Sequence, residues 1–521
     1  MALLLILLCS GNQLFGEKIL LKNATIFAPD GTYQKQFYLI IQDQKILKTG
    51  PMTQLKEEIY DKTVDLKNQY IYPAFIDVYS QQFLVEEKKK AKKQKTDKNR
   101  RLPLLKRKYH TERRAMDMIK ATKGKIKKNA LAGFSFLHLV PASGILTGTS
   151  AVCSMGSPIP DQSLLVPERF MHLQFIPNSG QYPSISSGII SDLIQIREDC
   201  YYYHRQKKQQ FYNPRHRVPF NRAMETLHPY FEKKKRLVIR TRNLVEQRMA
   251  EILMTKLNIS PVIILSPDGW RRPIPKNSDL ILPLSFKAPM ISKYTKMGEK
   301  LKKKSKKEIY PLKLAEFFKQ HSRISLAPPS SGDYKGLIAN IRILMKQGVS
   351  ETKLLRALTM VPAKLLGIDR FAGTLAAGKL ANLFISNKKI FEDKAKITLA
   401  FVEGREFNIP KASDKLKPPA GNISGNWIMK IESPMGNVES QLSLSQDNNQ
   451  LEGKMTSAML GSKEIENGII SGKEISWTIT ANMMGTESVF KFSAKLEDKV
   501  IKGQISLGSY GDATFVAKPK K

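Results

Sequence analysis

Between Pro73 and roughly Gly367 the sequence switches repeatedly from short apolar runs of β type to longer helical ones. The strand-like runs are FSFLHLV (Phe134 to Val140), RLVIRT (Arg236 to Thr241), PVIIL (Pro261 to Leu265), DLILPLSF (Asp279 to Phe286) and ISLAP (Ile324 to Pro328). Helical patterns lie between them: MDMIKATKGKIKKNALA, ISDLIQIREDCYYYHRQ, LVEQRMAEILMTKLN and KGLIANIRILMKQG. A helix between two strands carries the chain back to the starting end, so the repetition predicts a parallel sheet. A stretch of about 300 residues suits an α/β fold of the (β/α)8, TIM-like barrel kind.

Both flanks of this region read as β-structure. Residues 18–50, KILLKNATIFAPDGTYQKQFYLIIQDQKILKTG, alternate apolar runs with the turn signals PDG and KTGP, and LANLFISN with ITLAFVEGREF returns to strand character after the barrel. The expectation is a small β-sandwich formed from both flanks. A linker, IPKASDKLKPPAG, marks a boundary near residue 420. Beyond it, strands separated by NG, SG and KG turns predict an antiparallel barrel or sandwich. Trp427 and Trp477 fall on its strands, as core or as the wall of a cavity. With 521 residues the chain exceeds one growing core. The expected domains are 1–16 signal peptide, 17–72 first part of the sandwich, 73–378 barrel, 379–412 second part of the sandwich, 413–420 linker and 421–521 C-terminal β-domain.

The charge of +39 attracts anionic surfaces without specificity. Its lysines cluster in EEKKKAKKQKTDKNRRLPLLKRK and EKLKKKSKK, with no nucleic-acid module or regular aromatic interleaving around them, so both read as solvated loops. MALLLILLCSGNQLFG reads as a secretory signal that lacks a basic start, which predicts export to the periplasm or cell surface. Cys9 raises lipidation, but Leu8 stands where a small residue is required. Cys153 and Cys200 are expected as buried free thiols.

The stretch PAFIDVYSQQF, Pro73 to Phe83, closes an apolar run and opens the barrel region. It resembles the first barrel strand of the amidohydrolase superfamily, whose pattern is Pro-Gly-x-Ile-Asp-x-His-x-His. Pro73, Ile76 and Asp77 match, Ala74 replaces the glycine, and Tyr79 and Gln81 replace both histidines. LLRALTMVPAKLLGI, Leu354 to Ile368, resembles the family's last barrel helix, and GTLAAGKLANLFI, Gly373 to Ile385, resembles the turn that follows it, with Asn382 in place of an aspartate. AGFSFLHLVPASGILTGTSAVCSMG and YPSISSGIISDLIQIREDCYYY are similar to segments of secreted, multi-domain relatives. The resemblance covers residues 18 to about 410; the C-terminal β-domain looks calycin-like and appended.

The resemblance implies a barrel with a composite sandwich and a divalent metal held by imidazoles and carboxylates at strand ends, where it would generate hydroxide. Those ligands are absent here. Besides Tyr79 and Gln81, the strand ends offer Arg240, Arg242, Asn243, Ser266 and Asp268, and the last strand offers Asp333, displaced from the family position. His138 reads as a hydrogen-bonded strand residue and His172 as isolated. His110, His204, His216, His228 and His321 lie without i, i+4 partners. Ser150 and Cys153 stand near glycines but with no readable base, and Asp268 and Asp279 have no spacing that joins them.

The catalytic residues are therefore unassigned: Tyr79 and Gln81 mark degenerate positions, and Asp268 and Asp333 are weak candidates. No metal or other cofactor is expected. The expected function is an exported amidohydrolase-fold pseudoenzyme acting as a binding or partner subunit. Its partners would be a second copy or an intact relative, with an unidentified small ligand and no specific nucleic acid. The alternative is a hydrolase of cyclic-amide C–N bonds with an atypical site.

Overall fold

The computed structural model describes residues 17–85, 108–178, 182–213, 215, 217–286, 309–408, 417–433, 436–458, 461–483, 486–498, 500–506 and 512–520. The expected signal peptide, Cys9, His216, the bulk of both lysine-rich runs and part of the linker lie outside these residues. The chain divides into two compact units, 1–409 without 123–125, and 410–521 with them.

The first unit opens with β1 (Lys18–Phe27), β2 (Tyr33–Gln42), β3 (Lys45–Pro51), β4 (Lys62–Asp65) and β5 (Tyr70–Pro73). The barrel strands follow: β6 (Phe75–Ser80), β7 (Phe134–Leu139), β8 (Leu146–Thr149) and β9 (Ala151–Ser154), with β10 (Leu164–Val166) on the free edge of β9. Next come β11 (Met171–Gln174), β12 (Leu237–Arg240), β13 (Val262–Ile264), β14 (Leu280–Pro283) and β15 (Ile324–Ala327). β6 pairs with β7 in parallel, β11 through β15 pair in parallel, and β15 lies beside β6 to close the ring.

The ring differs from an all-parallel barrel at its third position. β8 and β9 form one nearly continuous strand that is antiparallel to β11 on one side and to β7 on the other. The cause is the six-residue connection Val140 to Ile145, far too short for the crossover that a parallel neighbour demands. The strand also carries Gly148 at φ +115°, where a Cβ would lie 2.5 Å from the Arg113 carbonyl oxygen, because residues 109–114 run directly alongside.

Sequence periodicity passed over β11, whose four residues are short, yet it is hydrogen-bonded on both edges. The first helical run is shorter than expected: α1 spans only Lys123–Leu131. Ala115–Met118 form a 3-10 turn instead, and Ile119 is held extended beside Leu84, because Val85 donates its N–H to Met118 O and Lys120 donates to Phe83 O. The helices that follow are α2 (Ser186–Tyr212), α3 (Arg222–Phe231), α4 (Leu244–Leu257), α5 (Ile309–Gln320), α6 (Tyr334–Lys346), α7 (Glu351–Leu358) and α8 (Met360–Leu366); α2, α4 and α6 match the patterns read from the sequence, whereas α3 and α5 have no counterpart there. Asn258 ends α4 in the left-handed region at φ 51°, the cap that asparagine tolerates.

Period-two alternation sorts the strand residues. Ile76, Val78, Phe136, Val152, Val238, Ile264 and Ile281 fill the barrel interior. Leu137, Leu139, Ala151 and Cys153 form a separate cluster on the outside. Cys153 and Cys200 are buried and free.

After the barrel, β16 (Leu383–Ser386), β17 (Ile397–Val402) and β18 (Arg405–Asn408) rejoin the first strands. The result is one eight-stranded sheet, β18-β17-β16-β5-β1-β2-β3 with β4 beside β1, closed around a shared cluster that includes Leu21, Leu39, Ile71, Ile385 and Phe401. Asn382 shows why an amide stands where an aspartate is usual: its Nδ2 donates to Ser154 Oγ at 2.9 Å while its Oδ1 accepts from Glu403 N at 2.6 Å. A carboxylate could not donate the first of these.

Among the described residues the second unit holds nine strands, from β19 (Gly425–Ser433) to β27 (Asp512–Pro519). Every neighbour is antiparallel, and pairing of Gly436–Asp447 with Gln450–Ser457 closes an eight-stranded barrel, with Gly461–Glu464 attached outside it. Its core is aromatic. Trp477 stacks on Phe492 at 4.9 Å, and Trp427, 6% exposed, donates its indole N–H to Ile423 O.

Candidate functional site at the barrel mouth

The parallel strands point their carboxyl ends to one side of the barrel, where barrel ligands bind. β6 brings Asp77, Tyr79 and Gln81 there. Asp77 is fully buried, accepts from Tyr334 Oη at 3.1 Å and from Tyr79 N at 3.3 Å, and burial pushes its carboxyl up to about 6. Tyr334 is the first residue of α6, stacks on Phe134 at 3.9 Å, and accepts from Gln82 Nε2. Asp77 thus ties the first strand to the helix after the last one and does not reach the mouth.

Tyr79 does reach it. Its hydroxyl accepts from Arg240 Nη1 at 3.0 Å and from Gln81 Nε2 at 3.4 Å, and the guanidinium lies 5.2 Å from the ring centre. Tyr79 and Arg240 stand on the first and fifth strands of an eight-membered ring, which face each other across it. Their contact therefore spans the barrel. Burial raises the phenol's pKa, opposed by Arg240, so the hydroxyl stays protonated at neutral pH.

Two histidines lie beneath this tie. His138 makes close contacts through both ring nitrogens, Nδ1 to Val78 O at 2.8 Å and Nε2 to Ser150 Oγ at 2.7 Å. The carbonyl can only accept, so Nδ1 carries the proton and Nε2 accepts from the serine. Ser150 thus has the base that its sequence context lacked. Serine and histidine are nevertheless fully buried, and Ser150 Oγ also touches the Phe170 backbone at 3.2 Å, which makes the pair a core polar knot. His172 is not isolated as the sequence suggested: its ring lies 5.3 Å from His138 and 6.3 Å from Tyr79. Its Nε2 is buried with no hydrogen-bond partner, and burial holds its pKa well below the usual range. The signal for both was alternation: Phe136 with His138, and Phe170 with His172, occupy inward positions two residues apart.

The remaining candidates are committed elsewhere. Asp333 caps α6 by accepting from Gly336 N at 2.9 Å. It neighbours Ser331, whose Oγ accepts from Gln81 N, but its carboxylate serves the helix. Asp268 precedes the short 3-10 turn Gly269–Arg271. Arg242 pairs with Glu246 and Asn243 caps α4. Asp279 sits at the opposite end of the barrel, before β14, bridged by Arg236 and Arg323 at 2.6 Å each. Away from the mouth, His204 and His228 stack at 3.6 Å, and His228 has an i, i+4 carboxylate, Glu232, at 4.0 Å that the sequence reading missed.

The amidohydrolase family model matches residues 321–407, which cover the last barrel strand, its helices and the returning sheet. A solved amidohydrolase from Thermotoga maritima superposes with a TM-score of 0.60 at 20% identity, covering 75% of this chain and all of its own. The fold is that of the amidohydrolases. An ochratoxinase from A. niger aligns more loosely, with a TM-score of 0.42 at 9% identity over 76% of this chain and 96% of its own.

In the amidohydrolase fold the mouth is where a divalent metal would be held, and the residues here do not fit one. A protonated phenol and a primary amide are poor donors, and both nitrogens of His138 are engaged. No group of three or more His, Cys, Asp or Glu side chains is arranged for a metal among the described residues. Arg240 adds repulsion: a divalent ion about 5 Å from a guanidinium is opposed by about 7 kcal/mol at an effective dielectric of 20. No hydrolytic step through a metal is drawn from this set.

Proposed function

We propose that this amidohydrolase-fold chain is an exported binding or partner subunit without a metal-dependent hydrolytic centre. The observation that carries the reading is the Tyr79–Arg240 contact across the mouth, which puts a fixed cation and a neutral phenol where the family's chemistry needs metal ligands. Asp77 and the mouth-spanning contact keep the scaffold of the site while its donors are exchanged.

The decisive experiment is metal quantification on protein purified without chelator and then exposed to zinc, nickel and manganese. Substoichiometric metal is expected, together with flat turnover on dihydropyrimidine, imidazolone and dipeptide substrates. Stoichiometric metal that depends on Tyr79 or Gln81, or metal-dependent turnover, would sink the proposal in favour of a C–N hydrolase with an atypical site. Light scattering of the chain alone and with an intact relative addresses the partner role. Cell fractionation with N-terminal sequencing addresses export.

A further inference from the structure

Several cations of the barrel meet a carboxylate. Arg236 and Arg323 share Asp279, Arg242 pairs with Glu246, and Arg272 pairs with Glu251. Arg240 differs: at the mouth its Nη1 donates to the neutral Tyr79 hydroxyl. A guanidinium has five N–H donors, and the side-on fork of Nε and Nη2 points away from the group that Nη1 serves. A partly buried cation that meets a neutral phenol keeps an uncompensated charge.

A further polar atom is unpartnered beside it. His172 Nε2 makes no hydrogen bond, in a residue only 3% exposed. β11 pairs Gln174 with Arg240, so His172, two residues earlier, lies on the same inward face of the adjacent strand. Its ring lies 6.3 Å from the Tyr79 ring, and the Arg240 guanidinium sits 5.2 Å from that same ring. A guanidinium fork and an imidazole on neighbouring strands form a donor set for an oxyanion.

We propose that Arg240, with His172, binds the carboxylate or phosphate group of a small molecule at the barrel mouth. The guanidinium takes over the electrostatic task of the family's metal, holding negative charge, without the ability to make hydroxide. The oxyanion is held bidentately by Nε and Nη2, while Nη1 stays on Tyr79. His172, neutral and protonated at Nε2, donates to it. This inference rests on the reading of the chain as a binding protein.

The test is calorimetric titration of the full chain with acetate and, separately, with inorganic phosphate at constant ionic strength. The variants are Arg240→Gln, Arg240→Lys and Tyr79→Phe, with Arg248→Gln as a surface control of equal charge change. Saturable binding by wild type is expected, weakened at least tenfold in Arg240→Gln and partly in Arg240→Lys, which keeps charge but loses the fork. Arg248→Gln should bind as wild type does, and Tyr79→Phe, which releases Nη1, should weaken binding less than Arg240→Gln. Binding of acetate alone assigns a carboxylate ligand and binding of phosphate alone a phosphate ligand. Should Arg240→Gln fail to fold by circular dichroism, Arg240→Lys decides. No saturable binding of either anion, or equal affinity in wild type and Arg240→Lys or Arg240→Gln, overturns the proposal. Metal content of the same samples separates the two readings. Metal-free protein without Arg240-dependent binding refutes only this inference, whereas stoichiometric metal with turnover refutes the broader one.

Discussion

Replacing Asp77 by asparagine tests whether this family-matching carboxyl is scaffold or site. In the folded protein burial raises its pKa from 3.8 to about 6. Between those values the native state binds more protons than the unfolded chain, so this group's contribution to stability falls as pH rises from about 4 to 6. A shift of about two units corresponds to about 3 kcal/mol. That penalty is fully present at pH 7 and absent below pH 4. Asparagine removes it and keeps the acceptor for Tyr79 N, but offers Tyr334 Oη no acceptor at the position of Oδ2, which costs about 1 kcal/mol. Asp77→Asn should therefore be about 2 kcal/mol more stable than wild type at pH 7 and about 1 kcal/mol less stable at pH 4. Urea unfolding midpoints compared at equal slope across this range measure the difference. Parallel profiles, or a wild-type advantage at pH 7, would refute the reasoning, because an ionised Asp77 would then have a favourable partner.

Asp279→Asn weakens a two-arginine bridge at the far end of the barrel. A loss of about 2 kcal/mol is expected by urea unfolding at pH 7, discounted because both arginines are partly exposed, and no loss would mean that solvent already screens the bridge. In the C-terminal barrel, Trp477→Ala should cost about 4 kcal/mol and Trp477→Phe less than about 1.5, since its indole N–H has no partner to lose. Equal losses by circular dichroism melts would contradict that packing. Burial pushes the Cys153 and Cys200 thiols up to about 12, so neither should react with a thiol reagent at pH 8 until the protein is unfolded. Prompt labelling of either in native protein would count against their burial.

Much of the architecture was legible in local pattern. Alternating runs announced a barrel, and apolar alternation with glycine turns announced the C-terminal β-domain, because strand and helix periodicities are properties of a few consecutive residues. The antiparallel third strand was also available, in the six residues between Leu139 and Leu146, but periodicity reports a strand without its direction. β11 was missed because four residues are too few to show a period.

That Tyr79 and Gln81 stand where the resembled pattern has histidines was legible in the sequence alone. What these two side chains meet was not. Arg240 was visible as a strand-end residue, yet nothing near it in the chain says that it meets Tyr79, 161 residues away. His138 likewise acquires Ser150, and His172 acquires His138, only when strands far apart in the chain become neighbours. Local sequence determined which segments become strands and which faces turn inward. Closure of the ring decided which inward side chains meet, because partners across a barrel are set by strand order and register, and neither is a local property.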